Sequence, residues 1–222
     1  MSFQIALDGP AGAGKSTVAK AVASELHFIY IDTGAMYRAM GLYLDSLGTD
    51  LEDQAALDAA CEKASVTIAH QNGAQHIYLN GEDVTTAVRA ETAGMLASKV
   101  SAYGSVRRKL TSMQQEIAAS ADVVMDGRDI GTAVLPEAPL KIFLTASVEE
   151  RARRRYLELK NKGQEADLAA ISADIEKRDY QDSHREIAPL RQAEDAVYLD
   201  SSNLSAEQVV EKIVFLARER MS

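Results

Sequence analysis

The sequence lacks most of the features that mark secreted and membrane-spanning proteins. Cys61 is the only cysteine among 222 residues, so no disulfide can form within the chain, and we expect a reducing, cytoplasmic setting. Apolar runs stay short of the ~20 residues that span a bilayer, and the N-terminal residues lack the basic stretch of a signal peptide. We therefore expect neither secretion nor a membrane as partner.

Positive charge and aromatic rings are also scarce. The net charge is -9, and aromatic residues make up 5% of the chain. An acidic surface repels polyanions and few rings are available to stack on bases, so we expect no nucleic acid as a partner. The apolar fraction of 46% and the length are those of one globular domain with an elaboration, and we expect a monomer.

Short β-prone segments alternate with segments of helical period along most of the chain. A stripe of Val106, Leu110, Met113 and Ile117 is one of the helical patterns. Such alternation is typical of an α/β fold, in which a parallel sheet is covered by helices on both faces. Strands are predicted at 3–7, 28–31, 123–125, 140–144 and 196–199, with a helix at 15–26.

Two regions depart from this alternation. A helix at 54–64 precedes two alternating strands, with turn signals at Asn72-Gly73 and Asn80-Gly81, which indicates an inserted hairpin-bearing subdomain. The polar segment 157–167 predicts a mobile flap. Capping boxes are predicted at two helix starts, from Ser147 with Glu150 and from Ser205 with Gln208.

Residues 9–16 fit the P-loop pattern G-x-x-x-x-G-K-[ST], between a predicted strand and a predicted helix. Glycines let successive backbone N–H groups face one anion, the helix start adds its positive dipole end, and Lys15 supplies a cation for the β- and γ-phosphates. Ser16 can offer its hydroxyl to Mg²⁺. We therefore expect ATP to contact Gly9, Pro10, Ala11, Gly12, Ala13, Gly14, Lys15, Ser16 and Thr17.

Asp126 follows the apolar strand at 123–125 and should emerge at the carboxyl edge of the sheet, where ligands of open α/β folds bind. An acid at that edge can hold hydrated Mg²⁺, directly or through water. Ser16 and Asp126 are therefore the candidate metal residues.

Arginines crowd the segment before the predicted flap, at Arg151, Arg153, Arg154 and Arg155, and Arg178 and Arg185 follow it. Phosphoryl transfer spreads negative charge over the equatorial oxygens, and arginine's planar fork suits phosphate. We expect some of the first four to serve in a lid, and the others to be solvated helix charges. So many arginines favour an acceptor that is already phosphorylated, which needs no general base because its second pKa is near ~6.

Four motifs occur together along the chain. They are the P-loop ending in Gly14-Lys15-Ser16, Asp-Thr-Gly-Ala-Met-Tyr-Arg at 32–38, Asp-Gly-Arg-Asp-Ile-Gly-Thr at 126–132, and Arg-Asp-x-x-Asp-x-x-Arg at 178–185. With these motifs the chain resembles the bacterial cytidylate kinases over essentially its full length. The resemblance implies a P-loop kinase with a five-stranded parallel core from 1–40 and 99–222. It also implies an acceptor-binding insert at about 41–98 and a short lid at about 151–167.

The resemblance also implies an activity, the transfer of phosphate from ATP to CMP and dCMP in pyrimidine nucleotide metabolism, with Mg²⁺ as cofactor. It assigns cytosine reading to Ser98, Arg107 and Asp129, and the ribose hydroxyls to Asp182. The implied catalytic residues are Lys15, Arg128, Arg154 and Arg178. The implied acceptor site comprises Thr33, Tyr37, Arg38, Ser98, Arg107, Arg128, Asp129, Asp182 and Arg185.

Three other functions share parts of the pattern. A kinase acting on a metabolite hydroxyl shares the P-loop but needs a base for that hydroxyl. A GTP-dependent switch usually reads guanine with N-K-x-D, whereas residues 161–164 are Asn-Lys-Gly-Gln. An RNA-binding P-loop protein conflicts with the acidic charge and the few aromatic residues.

Overall fold

We describe the protein from a computed structural model, which covers residues 2–71 and 74–221. The predicted turn at Asn72-Gly73 lies outside these residues. The strands are β1 (Gln4–Asp8), β2 (Ile29–Asp32), β3 (Val66–Gln71), β4 (Ala74–Leu79), β5 (Glu82–Asp83), β6 (Val123–Gly127), β7 (Leu140–Thr145) and β8 (Val197–Asp200). The helices are α1 (Lys15–Leu26), α2 (Thr33–Ser46), α3 (Gln54–Lys63), α4 (Glu91–Val100), α5 (Gly104–Ser120), α6 (Val148–Asn161), α7 (Leu168–Ser183) and α8 (Ala206–Met221).

The chain divides into two compact units. The first combines Met1–Tyr30 with Ala121–Ser222, and the second is Ile31–Ser120, so the chain passes between them within β2. The second unit begins before the predicted insert at 41–98 and ends after it.

The first unit is built on a five-stranded sheet in the order β2-β6-β1-β7-β8. Strand β1 pairs in parallel with β6 and β7, and β7 pairs in parallel with β8, which confirms the predicted parallel sheet. Asp8 is level with Gly127 in the β1–β6 register. The P-loop and the segment after β6 therefore leave the sheet at the same carboxyl edge, where ligands of such sheets bind.

Helix α1 packs one face onto this sheet, as its spacing predicted. Val18, Ala19, Val22 and Ala23 are buried at helical intervals and join a core with β1 and with Val209 and other residues of α8. Helix α8 begins with the predicted capping box. Ser205 N–H donates to Gln208 Oε1 at 2.9 Å, and Gln208 N–H donates to Ser205 Oγ at 3.3 Å.

The other predicted capping box is only half formed. Glu150 N–H donates to Ser147 Oγ at 3.2 Å. The Glu150 carboxylate binds Arg153 and Arg154 instead of returning to Ser147, whose N–H donates to Ser202 Oγ. Three hydrogen bonds from two guanidinium groups outweigh a single bond from a backbone N–H, so this half of the prediction was wrong.

The predicted flap at 157–167 is shorter than expected. Residues up to Asn161 continue α6, because polar but straight side chains suit a helix as well as a loop. Asp167 accepts a hydrogen bond from Ala169 N–H and caps α7. The non-helical connection is therefore confined to residues 162–167.

The second unit joins four helices to a three-stranded antiparallel sheet in the order β3-β4-β5, which confirms the predicted helix and hairpin. Gly41 in α2 lies against the backbone of α4, where a Cβ would meet the Cβ of Leu96 at 2.9 Å. The glycine therefore lets these two helices approach closely. Within residues 2–71 and 74–221, no helix combines the length and apolarity needed to cross a bilayer.

Candidate active site

The P-loop connects β1 to α1 in the first unit. Gly9 has φ of 151°, and a Cβ there would collide with the carbonyl of Leu144. Gly14 sits at the N-cap of α1 with φ of 85°, in the left-handed region that glycine adopts without strain. Both positions require glycine for the backbone to curl, which places Lys15, Ser16 and the rest of the first turn of α1 directly after the loop.

Lys15 is buried at this turn, with 6% of its surface exposed, and Nζ donates to the Pro10 carbonyl at 2.7 Å. Burial holds its pKa well below the ordinary value of 10.5, and the charge of Arg128 lowers it further. Asp126, Asp8 and Asp182 oppose that shift. A phosphate at the loop would add negative charge beside this amine and favour its charged form.

Ser16 and Asp126, the two candidate metal residues, are in contact. Ser16 Oγ donates to Asp126 Oδ2 at 2.8 Å, and the Tyr30 hydroxyl donates to Oδ1 at 2.9 Å. A hydroxyl and a carboxylate side by side are the hard oxygen donors that Mg²⁺ prefers, and Mg²⁺ usually takes few protein ligands beside water and phosphate. The donor set therefore fits a nucleotide-bound Mg²⁺.

Asp8 follows the predicted strand at 3–7 and fixes the segment after β6, a role that the sequence analysis did not predict. Its carboxylate accepts hydrogen bonds from Ile130 N–H at 2.8 Å and Gly131 N–H at 2.7 Å. The segment held in this way begins with Arg128 and Asp129. An acid placed immediately before the loop glycine is the signal that could have revealed the role.

We expect Asp8 to make folding stability depend on pH in the opposite sense to a salt-bridged acid. Burial, with a smaller contribution from Asp129, raises the pKa of Asp8 from 3.8 to about 6, although its two N–H donors oppose the rise. The stability that this group contributes is therefore fully present below its unfolded pKa and is lost as pH rises through about 6.

Urea unfolding of the wild type and of Asp8→Asn between pH 7.5 and pH 4 checks this expectation. The unfolding free energy of the wild type, relative to that of Asp8→Asn, should increase by about 2 kcal/mol as the pH falls from 7.5 to 4. A difference that stays constant with pH would contradict the raised pKa.

The predicted acceptor residues of the first unit form a cluster. Arg128 Nε donates to Asp182 Oδ2 at 2.9 Å, and Arg185 Nη1 lies 3.9 Å from Asp182 Oδ1. All three side chains are mostly buried, with 22%, 13% and 12% exposed for Arg128, Asp182 and Arg185. Two guanidinium groups held by one carboxylate provide positive charge and several N–H donors, which can bind a phosphate in a bidentate manner.

The arginines of α6 divide into two groups. Arg153 and Arg155 are 59% and 45% exposed and pair with glutamates of their own helix. Arg154 points to the P-loop, where its Nη1 lies 3.9 Å from the position of a Cβ on Gly14, and its Nη2 donates to the Ser201 carbonyl at 2.7 Å. Arg154 thus lies beside the P-loop, and Arg178 lies in α7.

In the second unit, α2 and α5 carry most of the predicted acceptor residues. Thr33 and Arg107 are buried, with 3% and 5% exposed. The Arg107 guanidinium lies 5.7 Å from the ring centre of Tyr37, within range of a cation–π contact. Arg38 lies near Gly34, with its Nη2 3.5 Å from where a Cβ would sit. Tyr37 therefore helps to orient the arginine predicted to read cytosine.

Ser98 is linked to Arg107 through Ser101, which ends α4. Ser101 Oγ donates to the Ser98 carbonyl at 2.9 Å, and Arg107 Nη1 donates to the Ser101 carbonyl at 3.1 Å. Ser98 itself is exposed and Arg107 is buried. Asp129, the third predicted cytosine-reading residue, is buried in the first unit.

Comparison with known proteins shows that the chain is similar to one protein family over nearly its whole length. The family model described as cytidylate kinase matches residues 5–219. A cytidylate kinase of Lactobacillus gasseri is 51% identical over 211 residues, which cover 95% of this chain and 92% of that protein. A cytidylate kinase of Shouchella clausii is 50% identical, covering 98% of this chain and 96% of that protein.

Solved structures show a likeness of fold alone. The protein TT1252 from Thermus thermophilus has a TM-score of 0.51 at 15% identity and covers 100% of this chain and 98% of that one. A gluconokinase from Sinorhizobium meliloti has a TM-score of 0.50 at 14% identity and covers 98% and 92% of the two chains. These likenesses agree with a sheet flanked by helices.

Proposed function

Since this chain belongs to the cytidylate kinase family, we propose that it transfers the γ-phosphoryl group of ATP to CMP and dCMP, forming CDP and dCDP. One observation within the first unit carries the proposal. Asp8, next to the P-loop that contains Lys15, accepts a hydrogen bond from Ile130 N–H at 2.8 Å, and Arg128, two residues before Ile130, donates to Asp182 at 2.9 Å. Cations for a donor phosphate and for an acceptor phosphate are thus close together.

The proposed reaction is a direct in-line displacement. An oxygen of the CMP phosphate attacks the γ-phosphorus as the bond to the oxygen bridging the β- and γ-phosphorus atoms breaks, and ADP leaves. The attacking phosphate is already mostly dianionic at neutral pH, since its second pKa is near ~6, so no side chain has to remove a proton. The site contributes position and positive charge.

Each side chain has a distinct role in this proposal. Lys15, Arg154 and Arg178 stabilise the charge that develops on the transferred phosphoryl group, while Arg128 and Arg185 hold the acceptor phosphate. Mg²⁺ held near Ser16 and Asp126 would neutralise the β- and γ-phosphates. The remaining acceptor contacts are proposed for Thr33, Tyr37, Arg38, Ser98, Arg107, Asp129 and Asp182.

Cytosine recognition follows from hydrogen-bond chemistry. Cytosine offers O2 and N3 as acceptors, which suit donors such as Arg107 and Ser98, and an amino group at N4 that suits the carboxylate of Asp129. Uracil has a carbonyl in place of that amino group. Its oxygen and the Asp129 carboxylate would both be hydrogen-bond acceptors, so no hydrogen bond could form between them. A preference for CMP and dCMP over UMP follows.

We also propose the organisation and setting in which this kinase works. About residues 41–98 serve as the acceptor-binding insert and about residues 151–167 as the lid, with the remainder as the P-loop core. The enzyme is proposed to act as a cytoplasmic monomer in pyrimidine nucleotide metabolism, with neither nucleic acid nor a membrane as partner.

The test is ATP turnover of the purified protein with Mg²⁺ against CMP, dCMP, UMP, AMP, GMP, cytidine and shikimate. We expect CMP and dCMP to exceed the other nucleotides by more than about tenfold in kcat/KM, because the base carries one well-placed charged contact. Cytidine should be inactive, since it lacks the phosphate that Arg128 and Arg185 would hold. Turnover of cytidine or shikimate in preference to CMP would refute the proposal and favour a metabolite kinase.

A further inference from the structure

Arg151 is a buried arginine of α6, and the proposed reaction gives it no role. Its side chain is 5% exposed, whereas Arg153 and Arg155, two and four residues later, are 59% and 45% exposed. A guanidinium taken out of water needs partners on several sides to offset its lost hydration. The partners that Arg151 has show what it does.

Arg151 joins the P-loop to α6 and α7. Its Nε donates to the Ala146 carbonyl, before α6, at 2.9 Å. Its Nη1 donates to the Ala11 carbonyl in the P-loop at 3.0 Å and pairs with Asp179 Oδ2 in α7 at 2.7 Å. A Cβ on Gly12 would lie 3.4 Å from Arg151 Cβ. One side chain therefore binds the P-loop at Ala11, lies beside Gly12, and pairs with α7.

Asp179 occupies an informative position on α7. It is adjacent to Arg178 and precedes Asp182 by three residues, so Asp179 and Asp182 lie on the same face one turn apart. Its Oδ1 is buried and has no hydrogen-bond partner among the described residues. Arg151 is thus the main group that fixes this carboxylate, and the position of α7 and the position of the P-loop depend on the same guanidinium.

We propose that Arg151 and Asp179 are positioning residues that hold α7, which carries the acceptor-side Asp182 and is followed by Arg185, in register with the ATP-binding P-loop. Neither side chain needs to contact a substrate. A change at Asp179 reaches the P-loop through Arg151, which binds both Asp179 and the Ala11 carbonyl, and alters ATP binding. The acceptor half of this inference depends on the proposed function, whereas the ATP half depends only on the P-loop.

The experiment is a double-mutant cycle on the affinity for a non-hydrolysable ATP analogue with Mg²⁺, measured by calorimetry. The variants are Asp179→Asn, Arg151→Lys, which keeps the charge but loses the fork, and the two combined. We expect Asp179→Asn to weaken binding about tenfold in the wild-type background and less than about twofold in the Arg151→Lys background. Arg153→Gln, on the same helix but exposed, should bind as the wild type does.

Two results would overturn the inference. If a folded Asp179→Asn protein bound the analogue as tightly as the wild type, the Arg151–Asp179 pair would contribute to the fold but not to ATP binding. An equal loss in both backgrounds would mean that Asp179 acts through its neighbour Arg178 rather than through Arg151. Asp179→Glu, which keeps the carboxylate, provides a second variant if Asp179→Asn does not fold, and we expect it to restore part of the affinity. Inactivity toward CMP would defeat the proposed function and leave this cycle interpretable.

Discussion

Replacing Lys15 with alanine is expected to lower kcat by about a thousandfold, or about 4 kcal/mol of transition-state stabilisation. Lys15 is buried beside the loop that receives the phosphates, and a cation there is worth more than one in water because the surroundings screen it poorly. Steady-state turnover with CMP, at saturating ATP wherever saturation can be reached, measures the loss.

Two further variants make this result interpretable. Lys15→Met keeps most of the side-chain volume and should lose nearly as much activity, which separates loss of charge from loss of packing. Lys212→Met, at an exposed lysine of α8, should retain full turnover. If Lys15→Met kept turnover within about tenfold of the wild type, the assignment of Lys15 to phosphate stabilisation would be wrong.

Replacing Asp182 with alanine should chiefly weaken acceptor binding, raising the KM for CMP by about a hundredfold. The carboxylate holds Arg128 at 2.9 Å and lies 3.9 Å from Arg185, so its removal takes away the charged group that orients both guanidinium groups toward one another. It also removes the group proposed to bind the ribose hydroxyls. We expect the KM for ATP to change by less than about threefold, because the P-loop is intact.

Asp182→Asn separates the two roles of this carboxylate. The amide can still bond to a hydroxyl but carries no charge to hold Arg128, so a loss close to that of alanine would place the larger effect on arginine orientation. Asp174→Ala, at an exposed position of the same helix, is the control. Equal increases in the KM values of ATP and CMP would contradict the acceptor role.

Most of the fold of the first unit was predictable because its signals are local. The P-loop pattern specifies strand, turn and helix within about twenty residues, and each buried strand is a short apolar run that ends in a polar residue. The observed strands lie within two residues of their predicted positions. The hairpin of the second unit followed from alternation and from Asn80-Gly81.

The parts that were missed depend on contacts between distant residues. Asp8 binds backbone groups more than 120 positions away, at Ile130 and Gly131, and the local sequence shows only an acid before the loop glycine, without its partners. The four arginines of α6 have the same chemistry, and only the fold decides that Arg151 turns inward while Arg153 turns outward. Glu150 likewise satisfied a local capping pattern but found stronger partners.

The hydrogen bond from Lys15 to the Pro10 carbonyl has a consequence for how binding energy is used. The amine has already given up most of its hydration in the folded protein, and the loop carbonyl occupies a position beside it. When ATP binds, a phosphate oxygen replaces the Pro10 carbonyl oxygen beside an amine that is already dehydrated, so the amine does not have to lose bound water at that step. The dehydration cost falls on folding, and more of the attraction between amine and phosphate is left for affinity and catalysis.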